Sequence, residues 1–126
     1  MGTRRLSILT VDDERPVICS IQFALGGPAC SLAAAGDGEE ALEQIQAKEP
    51  PFDLIITDNN MPRVNGLELV RRLREMSFAG KIIVLSAHLS TEIQSAYQAL
   101  KVDRMIPKPF DVSELRSAVA QVVPAS

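Results

Sequence analysis

The sequence predicts an α/β domain, a parallel sheet covered by helices on both faces. Three observations carry that prediction. Short apolar runs alternate with stretches of helical periodicity five times along the chain. The connections are too long for hairpins, so successive strands must cross over rather than fold back. The middle runs, Leu54-Ile55-Ile56 and Ile82-Ile83-Val84-Leu85, are continuously apolar, the pattern of strands buried on both faces. Right-handed crossovers then leave few topologies.

The elements follow in order. Leu6 to Val11 predicts the first strand, which stops at Asp12-Asp13-Glu14. Pro16 suits a first helical turn, and Val17, Ile18, Ile21, Ala24 and Leu25 recur at helical spacing until Gly26-Gly27-Pro28 ends the helix. A small-residue strand follows around Cys30 to Ala34. Asp37, with Glu40 three residues on, has the form of a capping box. It opens a helix with Ala41, Leu42 and Ile45 inward, stopped by Pro50-Pro51. The central strand ends on Asp58, and Asn59, Asn60 and Pro62 turn the chain at once.

Beyond Asn65-Gly66, a helix is expected to bury Leu67, Val70, Leu73 and Met76, with Arg71, Arg72, Arg74 and Glu75 on a solvated face. Lys81 opens the fourth strand, which leaves through Ser86-Ala87-His88. Ser90 or Thr91 starts a helix with Ile93, Ala96, Tyr97 and Leu100 on one stripe, Tyr97 being either core or partner-facing. A short strand at Met105-Ile106 runs into Pro107-Lys108-Pro109-Phe110. Asp111 with Glu114 opens a last helix that buries Val112, Leu115, Val119 and Val122, and Pro124 closes it.

Composition narrows the function. With 126 residues, 46% of them apolar, the chain is expected to form one domain with its own core. A net charge of -3 argues against a nucleic-acid binder, which needs a basic face. No apolar run approaches the roughly 20 residues that span a bilayer, and no signal peptide precedes the first strand, so a cytoplasmic protein is expected. Cys19 and Cys30 are too few for a zinc site or a disulfide framework and read as buried thiols, Cys19 on an apolar helix face.

In a parallel sheet every strand's carboxyl end lies along one edge, where ligands bind. Asp12, Asp13, Asp58, Ser86 and Lys108 therefore converge although distant in sequence. Three carboxylates held together need a cation or raised pKa values. Oxygen donors without His or Cys favour Mg2+, and three carboxylates, one lysine and one Mg2+ sum to zero formal charge. Lys108 and the Ser86 hydroxyl then remain as donors for a phosphoryl group. Each residue also has a plainer reading: Asp12-Asp13 at a helix N-terminus, Asp58 or Ser86 in a turn, Lys108 in solvent. All of these would have to coincide on one edge of one sheet. The lone His88 reads as an exposed loop residue.

The segments VDDE, TDNNMPRVNGLEL, LSA and PKPF occur in the order and spacing of bacterial response-regulator receiver domains, and the chain resembles one from end to end. The resemblance implies a flavodoxin-like (βα)5 three-layer sandwich with a five-stranded parallel sheet in the order 2-1-3-4-5. It implies one receiver domain over residues 1–126, with an ordered core of about 5–123 and no output domain in this chain. Asp58 matches the phosphoacceptor, which takes a phosphoryl group from a sensor histidine kinase or a histidine phosphotransfer protein. Asp13, Asp58 and the backbone carbonyl of Asn60 match the direct Mg2+ ligands, with Asp12 acting through water. Lys108 matches the lysine that pairs with the carboxylate and then the phosphoryl group, and Ser86 matches the switch hydroxyl. Asn60 and His88 fall where receivers tune hydrolysis of the acyl phosphate. A cis peptide between Lys108 and Pro109 is also implied. Such a domain signals to a downstream protein or output domain rather than acting as an enzyme; it has no direct nucleic-acid or membrane contact, and a dimer is left open.

Two departures stand out. Met105 occupies the place of an aromatic residue three positions before Lys108, which puts an aromatic switch coupled to Ser86 in question. Lys101-Val102 replaces the usual Gly-Ala, so the turn after the fourth helix needs strain or a different cap. Other functions on a similar sheet fit less well. A haloacid-dehalogenase-like phosphatase needs a second acid two residues after its nucleophile, where this chain has Asn60. A flavodoxin's flavin phosphate would be repelled by Asp12-Asp13-Glu14. A receiver-shaped interaction module that is never phosphorylated is the remaining alternative.

Overall fold

The computed structural model describes residues 5–61, 65–88 and 90–123. Pro62 and Pro124, expected to help form a turn and close the last helix, lie outside them. Strand β1 (Leu6–Val11) leads through α1 (Arg15–Leu25) to β2 (Cys30–Ala35) and α2 (Gly38–Ala47). The central β3 (Leu54–Asp58) is followed by α3 (Gly66–Glu75), β4 (Lys81–Ser86), α4 (Thr91–Ala99), β5 (Arg104–Pro107) and α5 (Val112–Val122). The sheet is parallel, in the order β2-β1-β3-β4-β5. The fold is thus the flavodoxin-like sandwich that the resemblance implied.

The period of two in a strand divides the core. Leu9, Ile55 and Val84 face a layer built from α2, α3 and α4, where Ala41, Leu69, Leu73 and Tyr97 pack. Ile8, Ile56 and Ile83 face the opposite layer, with Ile21 and Leu25 of α1 and Leu115 and Val119 of α5. Parallel register places Asp58 beside Leu85, and Ser86 beside Pro107, so the strand exits align along one edge.

Local chemistry sets where the helices begin. Asp37, Asn65, Ser90 and Asp111 each accept a hydrogen bond from the backbone N–H three residues on, satisfying a donor the helix leaves open. Asp111 and Glu114, expected to open the last helix, form a capping box. In α2 the Glu40 carboxylate instead accepts from the Gly36 N–H, one residue before the cap. The Lys108–Pro109 peptide is cis, as implied, and so is Glu49–Pro50.

The helix ends supply corrections. Met76 is exposed, because α3 stops just before it. Ser77 turns left-handed at φ 56, and its N–H and that of Phe78 bond back to the carbonyls of Arg74 and Leu73. This Schellman closure sends Phe78, not Met76, into the core. The turn after α4 repeats the motif with Lys101 at φ 60, its N–H and that of Val102 bonding to Gln98 and Tyr97. Arg74 is drawn off the solvated face to cap this end, its guanidinium donating to the carbonyls of Leu100 and Lys101 at 2.8 Å each. Both outcomes expected of a missing glycine therefore occur, strain and a substitute cap. Cys19 is exposed on α1 and Cys30 is partly exposed, so neither is the buried thiol expected.

Lys101→Gly should accordingly stabilise the fold by about 0.5–1 kcal/mol. The left-handed conformation costs a side-chain-bearing residue roughly 1–2 kcal/mol, offset in part by the greater freedom of glycine in the unfolded chain. A urea midpoint that moves down instead would show that the Lys101 side chain contributes more than its backbone costs.

Candidate functional site

Three strand exits and the β5–α5 loop meet at one point. Asp12 follows β1, and its backbone N–H bonds to the Ala35 carbonyl, which extends the sheet pairing by one residue and turns the carboxylate inward. One Asp12 oxygen accepts from the Glu14 N–H at 2.9 Å and the other from Lys108 Nζ at 3.1 Å. Asp58 ends β3, with Oδ1 2.8 Å from Lys108 Nζ and Oδ2 accepting from the Asn60 N–H at 3.1 Å. Lys108 also lies 3.8 Å from the Glu14 carboxylate. Its position is fixed from behind, since its own N–H donates to the Ser86 carbonyl at 2.8 Å.

Burial gives these contacts their weight. Asp12 and Asp58 are buried, at 1% and 5% exposure, whereas Asp13 is open to solvent. Burial pushes the Asp12 carboxyl above its ordinary value, and the nearby Asp58 charge adds to that; the Glu14 N–H and Lys108 pull the other way. Burial alone would pull the Lys108 ammonium down. Hydrogen bonds to Asp58 and Asp12 outweigh it, so Lys108 titrates above its ordinary value and stays charged.

One oxygen from each of Asp12, Asp13 and Asp58 lies within 4.8 Å of the others. These are hard donors without nitrogen or sulfur, carrying more negative charge than Lys108 balances. The set fits a hard divalent cation such as Mg2+. A cleft of about 430 Å³ opens over it, lined by Asp13, Asp58, Asn60, Ser86, His88 and Lys108 among others. The structure thus gathers every residue expected at the site. Ser86 and His88 share the cleft but address each other: the buried Ser86 hydroxyl donates to the His88 carbonyl at 2.9 Å and accepts from its N–H at 3.1 Å.

Comparison with known proteins decides the family. The family described as "Response regulator receiver domain" matches residues 8–120. The chain belongs to the response-regulator receiver family. It is 37% identical over 114 residues to the response regulator MprA of Mycobacterium leprae, a match covering 90% of this chain and 49% of that protein. MprA of Mycobacterium tuberculosis strain H37Ra is 39% identical over 108 residues, 86% of this chain and 46% of the relative. The chain thus spans about half the length of these curated relatives. Among solved structures, the chemotaxis protein CheY4 of Vibrio cholerae superposes with a TM-score of 0.87 at 29% identity, over 95% of this chain and all of that one. A response regulator receiver protein from Pseudomonas putida gives 0.86 at 27% identity, covering 95% and 99%. This receiver domain is therefore a signalling module of two-component systems. Among its described residues no helix is long and apolar enough to cross a membrane.

Two features of the receiver's site escaped the sequence reading. Glu14, read as part of an acidic run, reaches Lys108. Tyr97 is fully buried, and its hydroxyl donates to the side-chain oxygen of Asn59, the residue after Asp58. Its place on an apolar stripe argued for burial, but nothing in the sequence indicated which polar atom would meet the hydroxyl.

Proposed function

We propose that this receiver takes a phosphoryl group onto Asp58 from a phosphohistidine on a sensor histidine kinase or histidine phosphotransfer protein, and signals the change through its surface to a downstream protein or output domain. The observation that carries the reading is the Lys108 ammonium 2.8 Å from Asp58 Oδ1, inside a cluster of three carboxylates. In the transfer, an Asp58 oxygen forms the new bond to phosphorus as the P–N bond to imidazole breaks, and the leaving nitrogen keeps that electron pair. Lys108 then exchanges the Asp58 carboxylate for a phosphoryl oxygen without moving far, and holds that charge. Asp13, Asp58 and the Asn60 backbone carbonyl would hold Mg2+ directly, and Asp12 through water. When bound, the ion neutralises the carboxylates and the phosphoryl oxygens.

Ser86 supplies the response. Its hydroxyl must leave His88 to reach a phosphoryl oxygen, and that exchange releases the corner between β4 and α4. The added charge, about -1.5 to -2 on the phosphoryl group, favours the exchange. Asn60 and His88 flank the path that water takes to the acyl phosphate, so they set the rate of its hydrolysis. The domain acts as an enzyme only upon itself, in its own phosphorylation and dephosphorylation, and works in the cytoplasm.

Intact mass after incubation with Mg2+ and acetyl phosphate tests the reading. One phosphate adduct is expected, absent in Asp58→Asn and absent without Mg2+. An adduct that survives Asp58→Asn would move the acceptor elsewhere. Absence of both an adduct and measurable Mg2+ binding would favour an interaction module that is never phosphorylated.

A further inference from the structure

The residue after the phosphoacceptor is held from three directions. The Asn59 N–H donates to the Leu85 carbonyl of β4 at 2.9 Å, and its carbonyl accepts from the Gly66 N–H at the start of α3, at 3.1 Å. Its side-chain oxygen accepts from the hydroxyl of Tyr97, the buried residue of α4. Gly66 makes the third contact available: a Cβ there would lie 2.8 Å from the Tyr97 oxygen. Asn59 is therefore a junction of β4, α3 and α4, one peptide from Asp58.

Tyr97 also occupies a particular place in the core. Its ring packs in the same cluster as Met105, where the sequence lacks the aromatic residue expected before Lys108. The aromatic hydroxyl near this site comes from α4 instead of β5. Burial raises the Tyr97 hydroxyl well above its ordinary pKa, and the Asp58 charge contributes, so the group stays a hydrogen-bond donor that feels the charge on Asp58. A buried donor of this kind follows its acceptor, because losing it leaves the buried hydroxyl unsatisfied.

We propose that Tyr97 is a positioning residue through which the state of Asp58 is transmitted to α4, by way of the Asn59 side chain. This rests on phosphorylation at Asp58. Conversion of Asp58 to an acyl phosphate shifts Asn59, Tyr97 moves with it, and α4 repacks at its middle as well as at the Ser86 corner.

The protein carries its own probe. Tyr97 is the only tyrosine and there is no tryptophan, so tyrosine emission reports this side chain alone. With Mg2+ present, beryllofluoride as a phosphoryl mimic is expected to change that emission saturably in the wild type, and to leave it unchanged in Asp58→Asn. In Tyr97→Phe, which removes only the hydroxyl, hydrogen exchange over residues 91–99 should respond to beryllofluoride about fivefold less than in wild type, the factor one ordinary hydrogen bond is worth. A wild-type emission that ignores beryllofluoride while acetyl phosphate still yields the Asp58 adduct overturns the proposal and leaves the phosphorylation reading intact. So does a full exchange response in Tyr97→Phe. Should that variant fail to fold, Asn59→Ala keeps the tyrosine and removes its acceptor: a lost emission response supports the coupling, and a retained one overturns it. A wild type that takes up no phosphoryl group removes the phosphorylation reading, and this inference with it.

Discussion

Lys108→Ala is expected to slow phosphoryl uptake on Asp58 by about 100- to 1000-fold, the usual consequence of removing one preorganised donor from a developing charge. The same change should tighten Mg2+ binding by on the order of tenfold, because a unit positive charge no longer competes for the carboxylates at short range. The opposite signs are the informative part. Lys108 contacts Asp58 at 2.8 Å and Asp12 at 3.1 Å, so it offsets their charge and, on the proposed mechanism, stands where phosphoryl oxygens would arrive. Without Mg2+ the variant should also lose about 3 kcal/mol of stability, since two buried carboxylates are left unpaired. Adding Mg2+ should restore part of that by mass action. A mass time course with acetyl phosphate and a calorimetric Mg2+ titration measure the two sides. Uptake at the wild-type rate would reduce Lys108 to a counter-ion for Asp12.

Gly66→Ala is the second large effect, with an expected loss of about 2–3 kcal/mol, near the top of the range for overpacking. A Cβ at residue 66 would lie 2.4 Å from the Asp58 carbonyl oxygen and 2.9 Å from the Asn59 Cα. Both are backbone atoms of the segment that carries Asp58, so no side-chain rotation relieves the clash. Either α3 or the β3–α3 loop must shift, and phosphoryl uptake should fall together with stability. Gly36→Ala is the control: its nearest neighbour, the Glu40 carboxylate, is 3.6 Å from the added carbon, an ordinary contact. Urea unfolding of the two variants side by side is the measurement. Equal midpoints would mean that the start of α3 can give way without cost.

The strands could be read from the sequence because their signal is local. Leu6–Val11 and Leu54–Asp58 are bounded by carboxylates and loop formers at the residues where pairing ends. The N-caps were legible for the same reason, a short polar side chain serving an amide three residues on. Met76, Arg74 and Cys19 were misjudged because periodicity assumes that a helix continues and that its charged face meets water. The chain reversal at Ser77 and the open carbonyls after α4, 26 and 27 residues from Arg74, are set by tertiary contacts. In the site, residue identities and convergence could be inferred from strand exits alone. The orientation of Ser86 toward His88, and the partner of the Tyr97 hydroxyl, depend on packing that no spacing encodes.

The Arg74 cap has a mechanical consequence. Because α3 grips the two carbonyls just past α4 with two hydrogen bonds, that end of the helix would act as a pivot. If phosphorylation frees Ser86 as proposed, a push at that corner, by the opposite end, would become rotation about Leu100 and Lys101 rather than translation. Surface displacement would be greatest near Thr91 and fade toward the pivot. A protein gripping this helix would sense an angle, not a shift.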